Sequence, residues 1–125
     1  MAKTQARYVD GFVLTVPKKQ LAAYKKMATV GKTIWMKHGA IDYKECVIDD
    51  AKPKWVTFTF PKMAKAKTGE VVVFSYITYK SRAHRDQVNA KVMKDPMMKP
   101  PKKGEPMPFD MKRMAFGGFE VIVSA

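Results

Sequence analysis

A chain of 125 residues, 46% hydrophobic and 28% charged, carries enough apolar surface for one core and too little for two, so a single domain over residues 1–125 is expected. No charge-free apolar run approaches the roughly 20 residues of a membrane span, Met1–Arg7 shows no apolar signal segment, and the lone Cys46 allows no intrachain disulfide; these features point to a cytoplasmic protein with no membrane partner. The 24 basic against 11 acidic residues give a net charge of +13, which attracts polyanions and anionic metabolites, but only Arg7, Arg82, Arg85 and Arg113 carry the planar fork that reads bases and phosphates bidentately.

Tyr8–Val16 is rich in β-branched and aromatic residues and stops at Pro17, which makes it the first strand. From Lys18 onward, Leu21, Tyr24, Ala28, Gly31, Trp35 and His38 recur three and four apart and Gly39 closes the segment, the pattern of an amphipathic helix. Its outer face carries Lys18, Lys19, Lys25, Lys26, Lys32 and Lys37 without an acidic neighbour, either a solvated face or a binding face. Residues 40–50 read as a second strand. The lysine-rich stretch from Asp50 to Glu70 reads as a mobile excursion in which the alternating Trp55–Phe60 forms a short added strand or hairpin arm.

Glu70–Tyr79 is the strongest strand of the chain, a near-continuous apolar run that belongs in the middle of a sheet. Ser81 is a good N-cap and Asp95-Pro96 a good stop for a second helix, because a residue before proline is pushed out of the helical region. Residues 96–110 hold Pro96, Pro100, Pro101, Pro106 and Pro108 with Met97, Met98 and Met107 among lysines, a composition for a loop or lid. Met114–Val123 supplies the last strand, where Gly117-Gly118 marks a bulge or a close backbone approach. This order is that of an α+β ferredoxin-like βαββαβ sandwich, an antiparallel sheet with two helices on one face. The uncovered face, if apolar, is most simply buried against a second copy about a two-fold axis, which predicts a homodimer.

Alternation places Asp10 on the face of Phe12 and Leu14, Glu45 on that of Tyr43 and Val47, and Glu120 on that of Ile122. Carboxylates among apolar neighbours are either general acids and bases tuned by desolvation or structural groups paired with Arg7, Arg113 or one another. His84 lies four and eight residues before Val88 and Val92, with Arg82, Asp86 and Asn89 on the adjoining stripe. One reading makes this a catalytic cluster in which Arg82 holds an anionic or enolate oxygen, His84 exchanges a proton and Asp86 orients either. The other reading is an Arg82–Asp86 ion pair beside a hydrogen-bonded core histidine.

Together with Trp35, His38 and Tyr79, Arg82 and His84 would line a site for a small anionic or aromatic compound, with turnover left open. His38 fits a dipole-stabilised helix end better than a base, Trp35, Tyr43, Tyr76 and Phe116 are core by default, and Cys46 reads as packing. Two histidines on separate helices make no metal site, and Gly117-Gly118 is neither a dinucleotide fingerprint nor a phosphate loop, so neither metal nor cofactor is expected. The competing function is non-specific nucleic-acid binding by the lysine face with Lys52–Lys67 and Lys99–Lys103, to which Trp55, Phe58 and Phe60 would add base stacking if exposed.

Several stretches carry a resemblance that spans nearly the whole chain: Tyr8–Val13, Trp35 with His38-Gly39-Ala40, Tyr43 with Glu45-Cys46, Val72–Tyr76, Ser81–Asp86, Val88–Met93 with Asp95-Pro96, Met107–Asp110 with Lys112–Met114, and Gly117–Glu120. Together they resemble the YbaA-like family, domain of unknown function 1428. The resemblance implies a dimeric α/β barrel, two ferredoxin-like sheets packed across a dimer axis, within a superfamily that also holds cofactor-free monooxygenases, lactone isomerases, haem enzymes and ligand-sensing regulators. It implies no activity for the family itself. The lysine-heavy loops, Lys52–Lys67 and Lys99–Lys103, depart from the family pattern.

Overall fold

The β-branched and aromatic residues of Tyr8–Pro17 and Glu70–Tyr79 form the two longest strands, β1 and β3, which pair antiparallel from Tyr8 opposite Tyr79 to Pro17 opposite Glu70. In this computed structural model, which describes residues 5–98, 104 and 107–125, they are the two inner strands of a four-stranded antiparallel sheet of order β2-β3-β1-β4. β2 (Asp42–Val47) lies along β3 and β4 (Ala115–Glu120) along β1. The helices are α1 (Leu21–Lys37), entered through a 3-10 turn at Lys18–Gln20, the single-turn α2 (Phe60–Met63), and α3 (Arg82–Met93). The fold is α+β and compatible with a ferredoxin-like arrangement.

Register decides which side chains meet the helices. Tyr8, Asp10, Phe12, Leu14 and Val16 of β1 share a face with Val73, Ser75, Ile77 and Tyr79 of β3, since paired residues point the same way. Two clusters fill this inner side. Leu14, Val16 and Val73 bury against Tyr24 and Ala28 of α1, while Tyr8, Ile77 and Tyr79 bury against Ile34 of α1 and Val88 and Val92 of α3. Tyr24 and Ala28 of α1, and Val88 and Val92 of α3, are each four apart on one buried face, so tertiary packing, at about 25 cal/mol per Å² of apolar surface, holds α1 and α3 in place. On the outer side Phe74 and Phe119 are about half exposed, and Val9, Val13 and Tyr76 are only partly covered.

Three expectations are corrected, and of the two offered for Gly117-Gly118 the close approach holds. Trp55–Phe60 is not a strand: the Thr59 hydroxyl accepts from the Lys62 N–H and Pro61 sits in the first turn, so Phe60 opens α2 instead. Gly117-Gly118 is not a bulge, since β1 and β4 stay in register from Val13 opposite Ala115 to Tyr8 opposite Glu120. The glycines serve close approach, because a Cβ on Gly118 would overlap the Tyr8 hydroxyl and one on Gly117 would press on the Phe119 ring. β4 ends at Glu120, opposite the Tyr8 start of β1; the Val121 N–H still donates to the Arg7 carbonyl at 3.0 Å, and Ile122 and Val123 are exposed. Cys46 is exposed rather than packed, lying on the outer side of the edge strand β2. The lid expected at residues 96–110 lies partly outside the described residues; at its two ends Met98 packs on the core and the Phe109 ring meets the Tyr24 ring edge-on at 5.6 Å. Among the described residues no helix is long and apolar enough to cross a membrane.

Candidate small-molecule site

The Ser81 hydroxyl accepts from the His84 N–H at 3.0 Å and so fixes where α3 begins. That start sets the phase of the helix: Arg85, Val88, Asn89 and Val92, at the i, i+3, i+4, i+7 spacing of one face, turn toward the sheet. Opposite them, β1 presents Asp10 and Phe12, and α1 contributes Trp35. Between these elements lies a cavity of about 280 Å³ lined by Asp10, Phe12, Trp35, Asn89, Met93 and Phe116. Its wall is mainly apolar, with the Phe12 and Phe116 rings 4.9 Å apart between centroids.

Asp10 is the unusual group in this wall. It is only 2% exposed, and its Oδ1 has no hydrogen-bond partner among the described residues. The Arg85 guanidinium approaches that oxygen to 3.4 Å, an ion-pair distance without hydrogen-bond alignment. Arg85 is itself shared: Nη2 donates to the Tyr8 hydroxyl at 3.2 Å, the guanidinium lies over the Tyr8 ring, and Nε faces the exposed Asp86 at 3.0 Å, also without hydrogen-bond alignment. Burial pushes the Asp10 carboxyl above the usual carboxylate range, and Arg85, Tyr79 and Asn89 oppose the shift without cancelling it. The same burial raises the Tyr79 hydroxyl, helped by the neighbouring Asp10 charge.

Asn89 organises the polar part of the wall. Its Oδ1 accepts from the Trp35 indole N–H at 3.1 Å and from the Tyr79 hydroxyl at 3.5 Å. With the oxygen so used, the two donors of its Nδ2 are directed elsewhere. Trp35 is thus held by its polar edge while its ring forms wall, leaning on Tyr43 at 6.3 Å.

The structure brings together some residues expected at a site and separates others. Trp35 lines the cavity, and Tyr79 adjoins it through Asn89. Arg82 and Asp86 are exposed and do not line it. His84 is half-buried but turned to the β3–α3 turn, where its Nδ1 accepts from the Lys80 N–H at 3.0 Å, which leaves the ring proton on Nε2. Its pKa is lowered by burial first and by Lys80 and Lys91 next. His38 is 2.6 Å from Asp95, joining the end of α1 to the end of α3.

Asp95 also accepts from the Met97 N–H at 2.8 Å and from Lys37 at 3.1 Å, and these donors hold its pKa down at about 2. The carboxylates expected on one face share the inner side by register but do not meet. Glu45 takes the Tyr24 and Tyr43 hydroxyls at 2.6 and 2.7 Å, and Glu120 is exposed at the end of β4. Arg113 instead holds Glu70 through two bonds of 2.7 and 2.9 Å, which lowers the Glu70 pKa to about 2.

Arg85 is the site residue that reading the sequence from His84 in steps of four passed over, and Asn89 was placed on the adjoining stripe but given no role. The signal was present in the 85, 88, 89, 92 spacing, which places both on the face that carries Val88 and Val92.

A family model described as "Protein of unknown function (DUF1428)" matches residues 7–111. The uncharacterized protein YbaA of Escherichia coli strain K12 is 45% identical over 117 residues, which cover 94% of this chain and 97% of that protein. The protein of the same name from Shigella flexneri matches to the same extent. Of the elements that build the cavity, β1, α1 and α3 lie within the matched span and β4 lies beyond it, and the chain belongs to the DUF1428 family of proteins of unknown function.

Proposed function

We propose that the protein is a cytoplasmic small-molecule-binding domain whose ligand, a compact aromatic compound, sits between β1, β4, α1 and α3. The observation that carries this reading is Asp10, a buried carboxylate with an unpartnered oxygen in the wall of an otherwise apolar cavity. Such a group is costly to the fold and is a frequent mark of a binding or acid–base site. An aromatic ligand fits better than an anionic one, because the wall holds a carboxylate and Arg85 is already engaged by Asp10 and Tyr8. Among the described residues Asp10 is the one titratable group in the wall, so any cofactor-free turnover there would be proton transfer through it.

The indole N–H of Trp35 is a direct reporter, and Trp55→Phe removes the other indole, which is 96% exposed. Titration with two-ring aromatic probes is expected to move the Trp35 indole cross-peak saturably. A peak that stays fixed for every probe sinks the reading.

The same reading takes the protein as a homodimer joined through the outer side of the sheet, where Val9, Val13, Phe74, Tyr76 and Phe119 form an incompletely covered apolar surface. Sedimentation at micromolar concentration is expected to give a dimer, and Phe74→Lys a monomer. A wild-type monomer would refute this part.

A second reading is favoured by one observation: Trp55 and Phe58, flanked by Lys52, Lys54 and Lys62, are 96% and 70% exposed. These rings are available to stack on single-stranded nucleic acid, with lysines supplying charge. Filter binding of single-stranded DNA and RNA at low and physiological salt tests it: binding weakened at least tenfold by Trp55→Ala supports stacking, and no binding at low salt eliminates it.

A further inference from the structure

The donor and acceptor pattern around Asp10 goes one step further, resting on the small-molecule reading above. Most strong polar groups near the cavity are occupied among the described residues. The Trp35 N–H and the Tyr79 hydroxyl are turned to Asn89 Oδ1, and Arg85 Nη2 is turned to the Tyr8 hydroxyl. Among the described residues Asp10 Oδ1 remains an acceptor with no aligned donor, and Arg85 Nε, turned to the exposed Asp86, a donor with no aligned acceptor, while the Asn89 amide, its oxygen taken by two donors, lies beside the same carboxyl. A buried acceptor without a partner loses hydration and regains nothing, a defect that a ligand can remove.

We infer that the ligand is a hydroxylated aromatic compound, a phenol or an enol conjugated to a ring, whose O–H donates to Asp10 Oδ1 and whose oxygen lies within reach of Asn89 as acceptor. The ring lies against Phe12, Trp35 and Phe116. The Arg85 cation lies 3.4 Å from this same Oδ1, so a proton held by the carboxyl belongs on its other oxygen and Oδ1 acts as an acceptor. A ligand presenting only a carbonyl or an ether to Asp10 would leave Oδ1 orphaned and would place lone pair against lone pair. Selectivity for the hydroxyl over its methyl ether follows, since a site built around an unsatisfied polar group discriminates strongly against the analogue that fails to pair with it.

The test compares 2-naphthol with 2-methoxynaphthalene, which carry the same ring system, on the full chain carrying Trp55→Phe, by the Trp35 indole shift. The expected result is 2-naphthol binding at least about tenfold tighter, the ratio of one charge-assisted hydrogen bond. Asp10→Asn, which keeps the shape of the side chain, loses its charge and can donate to an ether oxygen, is expected to reduce that ratio. Equal binding of both probes by the wild type, or tighter binding of the ether, overturns the hydroxyl inference and leaves the aromatic site standing. Failure of both probes to move Trp35 overturns the site itself and the inference with it. A full hydroxyl preference retained by Asp10→Asn also overturns it.

Discussion

Asp10 and Asp95 are both nearly buried, at 2% and 6% exposure, and their acidities move in opposite directions. Asp95 is saturated: a backbone N–H, His38 and Lys37 all point at it, and its pKa falls to about 2. Asp10 receives one misaligned cation and keeps an oxygen with no donor, so desolvation prevails and its pKa rises. Burial alone therefore does not decide what a carboxylate does; the number of donors aimed at it does. The saturated aspartate fastens the ends of α1 and α3, and the unsaturated one opens onto a cavity.

The largest effect that would break this contrast is expected at Arg85. Arg85→Met strands Asp10 as a buried charge without its cation, and a loss of about 3 kcal/mol at pH 7 in urea unfolding is expected. Asp10→Asn removes the buried charge and should stay within about 1 kcal/mol of wild type, because little favourable pairing is lost with it. The asymmetry has a pH signature. The Asp10 pKa is higher folded than unfolded, so the folded state binds the proton more readily and this group's contribution improves as pH falls through its folded pKa. The Arg85→Met deficit should accordingly shrink in acid. If Asp10→Asn costs as much as Arg85→Met, the pair is a structural tie like Asp95 and the comparison fails.

The next effect belongs to Asp95. Asp95→Ala deletes three contacts at once and is expected to lower Tm by about 10 °C at neutral pH. The sign is opposite to that of Asp10: the folded pKa lies below the unfolded one, so the contribution is complete above the ordinary carboxylate pKa and is lost as pH falls from about 4 toward about 2. Wild type and Asp95→Ala should converge over that interval. A gap that stays constant down to pH 2 would mean that packing, and not the charge, holds the two helix ends together.

Much of this contrast was legible in the sequence, and the illegible part has a definite cause. The four sheet strands and both long helices follow from alternation, helical spacing, the Ser81 cap and the proline and glycine stops, all of them local signals. The inward face of Asp10 followed from its spacing to Phe12 and Leu14. Its partner did not, because Arg85 reaches it from α3, across the sheet–helix interface, and one residue of phase separates the His84 face from the Arg85 face on a helix. Trp55–Phe60 alternates like a strand, but the adjacent Thr59 cap and Pro61 favour a helical turn and no sheet edge takes the segment up. Whether Gly117-Gly118 was a bulge or a close approach depended on where the Tyr8 hydroxyl and the Phe119 ring lie, which is tertiary information.

The smallest effect sharpens the comparison from the side of the histidine. His84 is intermediate in burial, does not line the cavity, and accepts the Lys80 N–H across the turn into α3. His84→Ala leaves that N–H to water and removes the ring that stands edge-on to Tyr79 at 6.0 Å, for an expected loss of about 1 kcal/mol. Because the folded pKa lies below the unfolded value, the neutral ring is the stabilising form. Its contribution is full above the unfolded pKa and declines as pH falls through it. The difference between wild type and His84→Ala should therefore narrow in mild acid, where Asp10 and Asp95 respond in their own opposite ways. Binding of 2-naphthol, which depends on Asp10 and Asn89, is expected to stay within about twofold of wild type. A loss of binding at His84→Ala larger than at Asp10→Asn would move the chemistry of the site from the strand carboxylate back to the helix histidine.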